Sequence, residues 1–338
     1  MSKVIILGAK GRFGRAALHA FAQAGWQVTA LGRNWGDATI PGVARITGNA
    51  FDAETLKQAC AGHDVIVNAL NPPYENWSKD LPRLTASVIK AAKASGATVI
   101  IPGNVYNYGE TAPAVLTEDT PWHPTTRKGK LRVDMENTYR ASGVRTIVLR
   151  AGDFIEQEQS GNWFDAKIAA DARKGRTVYP GPHDAVHAWA YLPDMARAAV
   201  MLAEKRAQFD AFEEVGFEGY SLNGQELAAH IAAAVGRPQR MGGLPWKIVG
   251  LLGLFNAGMR EIYEMRSGRC PTGWMVESSP TCCRSSVQRQ STARSKMCSH
   301  RRIELEVQRT FLLSLLELSC NAARIWGGPS WRTNKSPC

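Results

Sequence analysis

The feature that most constrains this chain is its first segment. Val4-Ile5-Ile6-Leu7 is an unbroken apolar run, followed at once by Gly8, Gly11 and Gly14 at intervals of three and then by a helical pattern. An apolar run without alternation reads as a strand buried on both faces, as in a parallel sheet covered by helices. The first glycine lets the chain turn sharply off that strand. The second removes the Cβ that would hold a pyrophosphate away from backbone N–H groups, and the third lets helix and strand pack closely. The helix over residues 13–24 places Phe13, Ala17, Leu18 and Phe21 on one face and stops at Gly25. A second strand over 26–31 completes a βαβ unit of about thirty residues, the size of a dinucleotide half-site. Gly8, Lys10, Gly11, Arg12, Phe13 and Gly14 are therefore expected to cradle a dinucleotide, with its phosphates on the helix N-terminus.

The end of the second strand bears on which dinucleotide is held. Folds of this kind that take NAD place an Asp or Glu there for the ribose 2′-hydroxyl, and this chain has Leu31-Gly32-Arg33-Asn34. A carboxylate repels a 2′-phosphate, whereas a guanidinium grips it with paired charge-assisted bonds. The expectation is a preference for NADP(H), with NAD(H) also accepted, Arg33 as the main phosphate ligand and Arg12 assisting.

Charge and cysteine are concentrated at the far end. Residues 267–338 hold eleven Lys and Arg against four Glu, seven of the net +11. What remains is close to ordinary, which argues against a nucleic-acid protein. Cys60 stands alone in the first part, while Cys270, Cys282, Cys283, Cys298, Cys320 and Cys338 fall in the tail at spacings that match no zinc pattern. Back-translated and read in a shifted frame, the segment after Arg266 can give a balanced amphipathic sequence, and Trp274-Met275-Val276 is forced to yield Asp-Gly. A frameshifted, poorly ordered tail over 267–338 is expected, after a dinucleotide domain over 1–150 and a substrate-binding subdomain with additional Rossmann elements over 151–266. No leader-like segment precedes the first strand and no apolar run reaches membrane-spanning length, so the cytoplasm is expected.

Further strands are expected over 44–48, 64–70, 98–101 and 144–149, with helices over 53–61 and 81–95. Asp52 stands where an acidic side chain could meet an adenine amino group, and equally where a helix N-cap belongs. Asn68-Ala69-Leu70 ends the fourth strand beside the cofactor crevice, and Asn104-Val105-Tyr106-Asn107-Tyr108-Gly109 follows the fifth. Later come a helix from Trp163-Phe164 towards Ala172, a short strand from His187 leading to a helix capped by Asp194, and a helix opened by Asn223 with Glu226 three residues on.

The glycine triplet, Asn68-Ala69-Leu70, Tyr108-Gly109, the downstream Glu118-Asp119-Thr120-Pro121 and the basic helix after it together resemble the extended or atypical short-chain dehydrogenase/reductases. These are the NAD(P)-dependent epimerase/dehydratase group with its NmrA-like relatives, and the likeness covers about residues 3–265. The resemblance implies an α/β, Rossmann-type doubly wound parallel sheet with a small C-terminal substrate subdomain. It also implies hydride transfer at a carbonyl or alcohol carbon of a small or sugar-like substrate, and a possible homodimer. No nucleic acid, membrane or metal ion is expected as a partner. Two catalytic positions depart from the family: its Ser or Thr falls on Asn104, and its TyrxxxLys falls on Thr126 to Lys130, keeping the lysine and losing the tyrosine. Lys130 is then the expected ribose ligand, and Tyr106 or Tyr108 the expected acid or base. The alternative is a non-catalytic NADP(H) sensor of the NmrA type.

Overall fold

The computed structural model describes residues 1–35, 40–117, 119–156, 158, 160–264 and 273–274. From β1 (Lys3–Leu7) the chain turns through its glycines into α1 (Arg12–Gln23), then runs through β2 (Gln27–Gly32), β3 (Val43–Thr47), α2 (Ala53–Cys60) and β4 (Val65–Asn68). A 3₁₀ turn at Tyr74–Asn76 leads into α3 (Trp77–Ser95), β5 (Thr98–Gly103) and the two-residue β6 (Val115–Leu116). Then come α4 (Arg127–Ser142), β7 (Thr146–Arg150), β8 (Asp153–Ile155), β9 (Arg176–Tyr179), β10 (His187–Tyr191) and α5 (Leu192–Glu204). The remainder comprises β11 (Phe212–Gly216), β12 (Tyr220–Leu222), α6 (Gly224–Val235), β13 (Arg240–Gly243), α7 (Trp246–Gly253), α8 (Ala257–Glu264) and β14 (Gly273–Trp274), which pairs with β6.

Seven parallel strands form the central sheet in the order β11-β7-β5-β4-β1-β2-β3. The chain works outward in one direction from β1 and then in the other from β4. At such a reversal a crevice opens outside the carboxyl ends of the strands, where ligands bind in this architecture. One face of the sheet packs Val4, Ile6 and Ile147 against α1 and α5. The other packs Ile5, Leu7, Ile66 and Val99 against α2, α3 and α4. This is the doubly wound Rossmann-type sheet that the opening residues predict.

Some elements differ from expectation. α3 begins at Trp77 rather than at 81, because Trp77 is buried, stacks on Tyr74 and donates its indole N–H to the Pro72 carbonyl at 2.9 Å. β11 is a strand that the sequence patterning hides, since Phe212-Glu213-Glu214-Val215-Gly216 places two carboxylates on an edge paired only with β7. The helix expected from Trp163 is a single π turn, Phe164–Ile168, followed by a 3₁₀ turn, Ala172–Lys174, ending at Gly175 with φ +76°. Its start is fixed by reciprocal side-chain bonds, with Asn162 accepting from the Asp165 N–H and Asp165 accepting from those of Ser160 and Gly161.

The second unit joins β8, β10 and β12 in one small sheet and β9 with β13 in another. Its core holds Phe164, Trp189, Tyr191, Leu227 and Ile231. Asn223 and Glu226 form the expected capping box on α6. Asp194 does not cap α5: the cap is Tyr191, and Asp194 is fully buried one turn in, where it accepts the Tyr220 hydroxyl at 2.6 Å and pairs with Arg197. It ties α5 to β12. The frameshift expectation and the tail cysteines lie outside the described residues.

Candidate active site

The glycine turn is built as a cradle. Gly8 has φ +75°, and a Cβ there would stand 2.6 Å from the Ala69 carbonyl oxygen at the exit of β4. Gly11 donates its N–H to the Gly8 carbonyl at 2.8 Å, and a Cβ on Gly14 would collide with that same carbonyl. The exits of β1 and β4 are thus closed on each other at the point where the strand order reverses. Gly11 caps α1 without a side-chain bond and the first turn carries no carboxylate, so its N–H groups and positive dipole end suit an anion. The Phe13 side chain is buried in the core, leaving only its backbone to the turn. These residues fit the pyrophosphate of a dinucleotide.

Around the cradle, each expected ligand has a place. Lys10 reaches Asn34 at the end of β2, with Nζ 3.0 Å from Oδ1, and Arg33 beside it is exposed. Arg12 pairs with Glu156 at 3.4 Å across the mouth of the crevice. Asp52 is the N-cap of α2, accepting from the Glu54 and Thr55 N–H groups and the Thr55 hydroxyl, and those bonds hold its carboxyl below the usual range. Asn68 is turned inward: its amide donates to the Tyr139 hydroxyl at 3.0 Å and its Oδ1 accepts the Leu70 N–H at 3.3 Å. It shapes the β4 exit rather than projecting from it.

The loop after β5 is pinned from beneath by a buried ionic cluster. Glu136 on α4 is fully buried and takes Arg150 Nη2 at 2.6 Å, Arg132 at 3.5 Å and the Asn107 amide at 2.8 Å. Arg150 then donates to the Asn104 carbonyl at 2.6 Å and to Glu214 at 2.8 Å, while Arg132 donates to the Pro102 carbonyl at 3.0 Å. Tyr108 belongs to this cluster. Its hydroxyl donates to Glu214 at 2.7 Å, and burial and that carboxylate push its phenol far up. The expected role of Tyr108 as acid or base is corrected accordingly, since its hydroxyl is spent below the loop. Asn104 uses its side chain to accept the Tyr106 N–H at 3.1 Å.

α4 changes the lysine assignment as well. Thr126 caps the helix, accepting the Gly129 N–H at 3.0 Å, and the buried face runs through Lys128, Arg132, Met135, Glu136 and Tyr139. Lys130 lies on the opposite, exposed face, so it is Lys128 that enters the interior. With 2% of its side chain exposed, Lys128 lies over the Tyr74 ring and binds the Glu261 carbonyl at 2.7 Å, the Glu261 carboxylate at 3.1 Å and Glu264 at 3.0 Å. The two-residue shift from Lys130 follows from where Thr126 starts the helix.

Tyr106 is the tyrosine that stays near the crevice. Burial, the neighbouring Tyr74 and the Asp153 carboxylate raise its phenol well above the usual value, against the opposing charge of Arg132. Asp153, just past the exit of β7, bonds His187 at 3.0 Å, and His187 stacks on Trp189 with ring centres 4.6 Å apart. The sequence marks Asp153 and His187 on separate segments and does not pair them. Their two strands pair in parallel and lie far apart in the chain, and no local spacing marks the meeting.

With this geometry in view, the comparisons with known proteins are direct. A family model described as NAD(P)H-binding matches residues 8–178, and the chain belongs to that family. Among curated proteins nothing matches. Among solved structures the fold is shared with the UDP-N-acetylglucosamine 4-epimerase of Bacillus cereus, at TM-score 0.62 and 17% identity over 72% of this chain and 85% of that one. The dTDP-glucose 4,6-dehydratase of Bacillus anthracis, solved with NAD, gives TM-score 0.62 and 15% identity over 72% and 84%. The UDP-glucose 4-epimerase of Bifidobacterium longum, solved with NAD+ and UDP, gives 0.59 and 18% over 72% and 86%. The fold is thus shared with these epimerases and this dehydratase, and the family model gives the cofactor class as a nicotinamide dinucleotide. No helix among the described residues is long and apolar enough to cross a membrane.

Proposed function

We propose that the chain is an NAD(P)-dependent oxidoreductase or epimerase acting at a carbonyl or alcohol carbon of a small or sugar-like substrate, and that it prefers NADP(H). The observation that carries this is the cradle of Gly8, Gly11 and Gly14 against Ala69, which opens towards the loops after β5 and β7. When bound, a nicotinamide accepts or returns hydride. The chain's part is to hold the pyrophosphate on the first turn of α1, to grip a 2′-phosphate with Arg33 and Lys10, and to leave Asp52 exposed towards the adenine end. Arg12, paired with Glu156, ties the cradle to the substrate side. Support for NADP(H) comes from the end of β2, where Arg33 and Asn34 stand in place of a carboxylate.

A titration followed by tryptophan fluorescence tests the cofactor reading. NADPH is expected to bind more tightly than NADH, and Arg33→Ala to weaken NADPH by about 1.5–3 kcal/mol, roughly ten- to hundredfold, with NADH little changed. Equal affinities in the unaltered chain would remove the preference. A second reading, a non-catalytic NADP(H) sensor, is favoured by one observation: the family's Ser and Tyr positions hold Asn104 and the capping Thr126, neither of which titrates near neutrality. NADPH binding without turnover of any alcohol or carbonyl probe decides for it.

A further inference from the structure

We infer that Asp153 and His187 form the proton-transfer pair of this site, taking the place of the tyrosine that the chain lacks; the inference rests on the oxidoreductase reading above. Three chain segments converge here. Asp153 follows the carboxyl end of β7, Tyr106 follows that of β5, which neighbours β7 in the sheet, and His187 opens β10. The approach is enforced by backbone, because a Cβ on Gly152 would collide with the Ala188 carbonyl. Asp153 is 33% exposed and His187 25%, so the pair is open to small molecules while every member of the Glu136 cluster but Glu214 is almost wholly enclosed.

Asp153 uses Oδ2 on His187 Nε2, which aligns Oδ1 as the acceptor for a substrate hydroxyl. Around the pair stand Tyr106 and Tyr179 on the Asp153 side, Tyr74 and Arg132 next to Tyr106, and His183 against the Tyr179 ring. In the oxidative direction the alcohol C–H bond breaks and its electron pair leaves with the hydrogen as hydride to the oxidised nicotinamide. The hydroxyl proton moves onto Asp153 Oδ1, His187 keeps its own Nε2 proton bonded to Oδ2, and the C–O bond becomes a carbonyl. The pair then stands as carboxylic acid beside neutral imidazole, and the acid releases its proton to solvent. Reduction runs the same steps backwards. Tyr106, its hydroxyl bonded to Tyr74, stays protonated beside Asp153.

The test has two arms. In the first, the full chain with isotope-labelled histidine is observed by NMR. The His187 Nε2–H, held on Asp153 Oδ2, is expected to give a signal slow to exchange in the unaltered chain and to lose it in Asp153→Ala. In the second, the chain is offered UDP-glucose, UDP-N-acetylglucosamine, dTDP-glucose and phenanthrenequinone with NADP(H) or NAD(H). On whichever probe turns over, Asp153→Asn is expected to lower kcat by ~10²-fold or more. His187→Gln, whose amide can still donate to Asp153 Oδ2, is expected to lower kcat less than Asp153→Asn, with NADPH affinity kept in both variants as the check on folding. Turnover retained in Asp153→Asn overturns the inference and leaves the enzyme reading intact. Turnover lost in Asp153→Asn with no slowly exchanging His187 Nε2–H in the unaltered chain also overturns it, since the pair would then not be formed. An unaltered chain that binds NADPH and turns over none of the probes overturns the inference and the enzyme reading together, and leaves the cofactor site standing.

Discussion

Glu136 carries more of the loop after β5 than any residue that faces the crevice. Its carboxylate is the shared counter-ion of Arg150 and Arg132, and those two guanidinium groups hold the carbonyls of Asn104 and Pro102. Removing one partner of a buried ionic network leaves uncompensated charge, so Glu136→Ala is expected to destabilise the fold by about 3–5 kcal/mol in urea unfolding. Glu136→Gln keeps the volume and some hydrogen bonds and should lose less. A different single-residue effect belongs to Gly14. A Cβ there would collide with the Gly8 carbonyl, so Gly14→Ala must shift the turn or α1, and NADPH quenching is expected to vanish while the far-ultraviolet helix signal stays. Gly14 was legible from spacing alone. Glu136 was not, because a glutamate in a helix with many charges reads as surface until Arg150 and Asn107, its partners from other elements, are seen.

Among the elements, β11 depends most on charge. It lies at the sheet edge beside β7, and Glu214 fastens it through Arg150 and Tyr108. Burial pushes the Glu214 carboxyl up, but the charge and hydrogen bond of Arg150 and the Tyr108 hydroxyl outweigh it and hold the group below its ordinary 4.5. A carboxyl held low in the folded state stabilises fully above its unfolded value, and that contribution is lost as pH falls through the folded one. Thermal melts from neutral pH downward should therefore show a loss that begins near 4.5, and Glu214→Gln should start less stable and lose less over that range. The strands of the interior were readable as apolar runs, since both faces of a parallel sheet are covered. β11 carries charges that only its neighbours neutralise, and the π turn at Phe164–Ile168 depends on local side-chain bonds rather than on period, so neither left a pattern in the sequence.

At the scale of the whole molecule, Ile248, Leu251 and Leu252 of α7, with Leu254 and Phe255 after it, are exposed, an apolar edge next to α8. The shifted-frame reading of the sequence supplies an amphipathic continuation at this place. A chain with its 3′ frame restored after Arg266 is therefore expected to melt at a higher temperature and to elute with less aggregate than the present one. Equal melting and elution would count against the frameshift. The fold class, the cradle and the cofactor class were legible because glycine spacing and apolar runs are local. The Asp153 and His187 pair and the Lys128 contacts were hidden because they join segments distant in sequence. Lys128 also has a consequence in time. Its ammonium is enclosed by Glu261 and Glu264, and Glu264 accepts the Arg127 N–H at the start of α4, so a helix begun early is finished only by residues made much later. On the ribosome the nucleotide half can collapse while this lysine still lacks its counter-ions, and any product ending before α8 keeps an unneutralised charge beneath Tyr74. Protein quality control can read such a defect, so early termination before residue 264 should show as rapid degradation rather than as a shorter working enzyme.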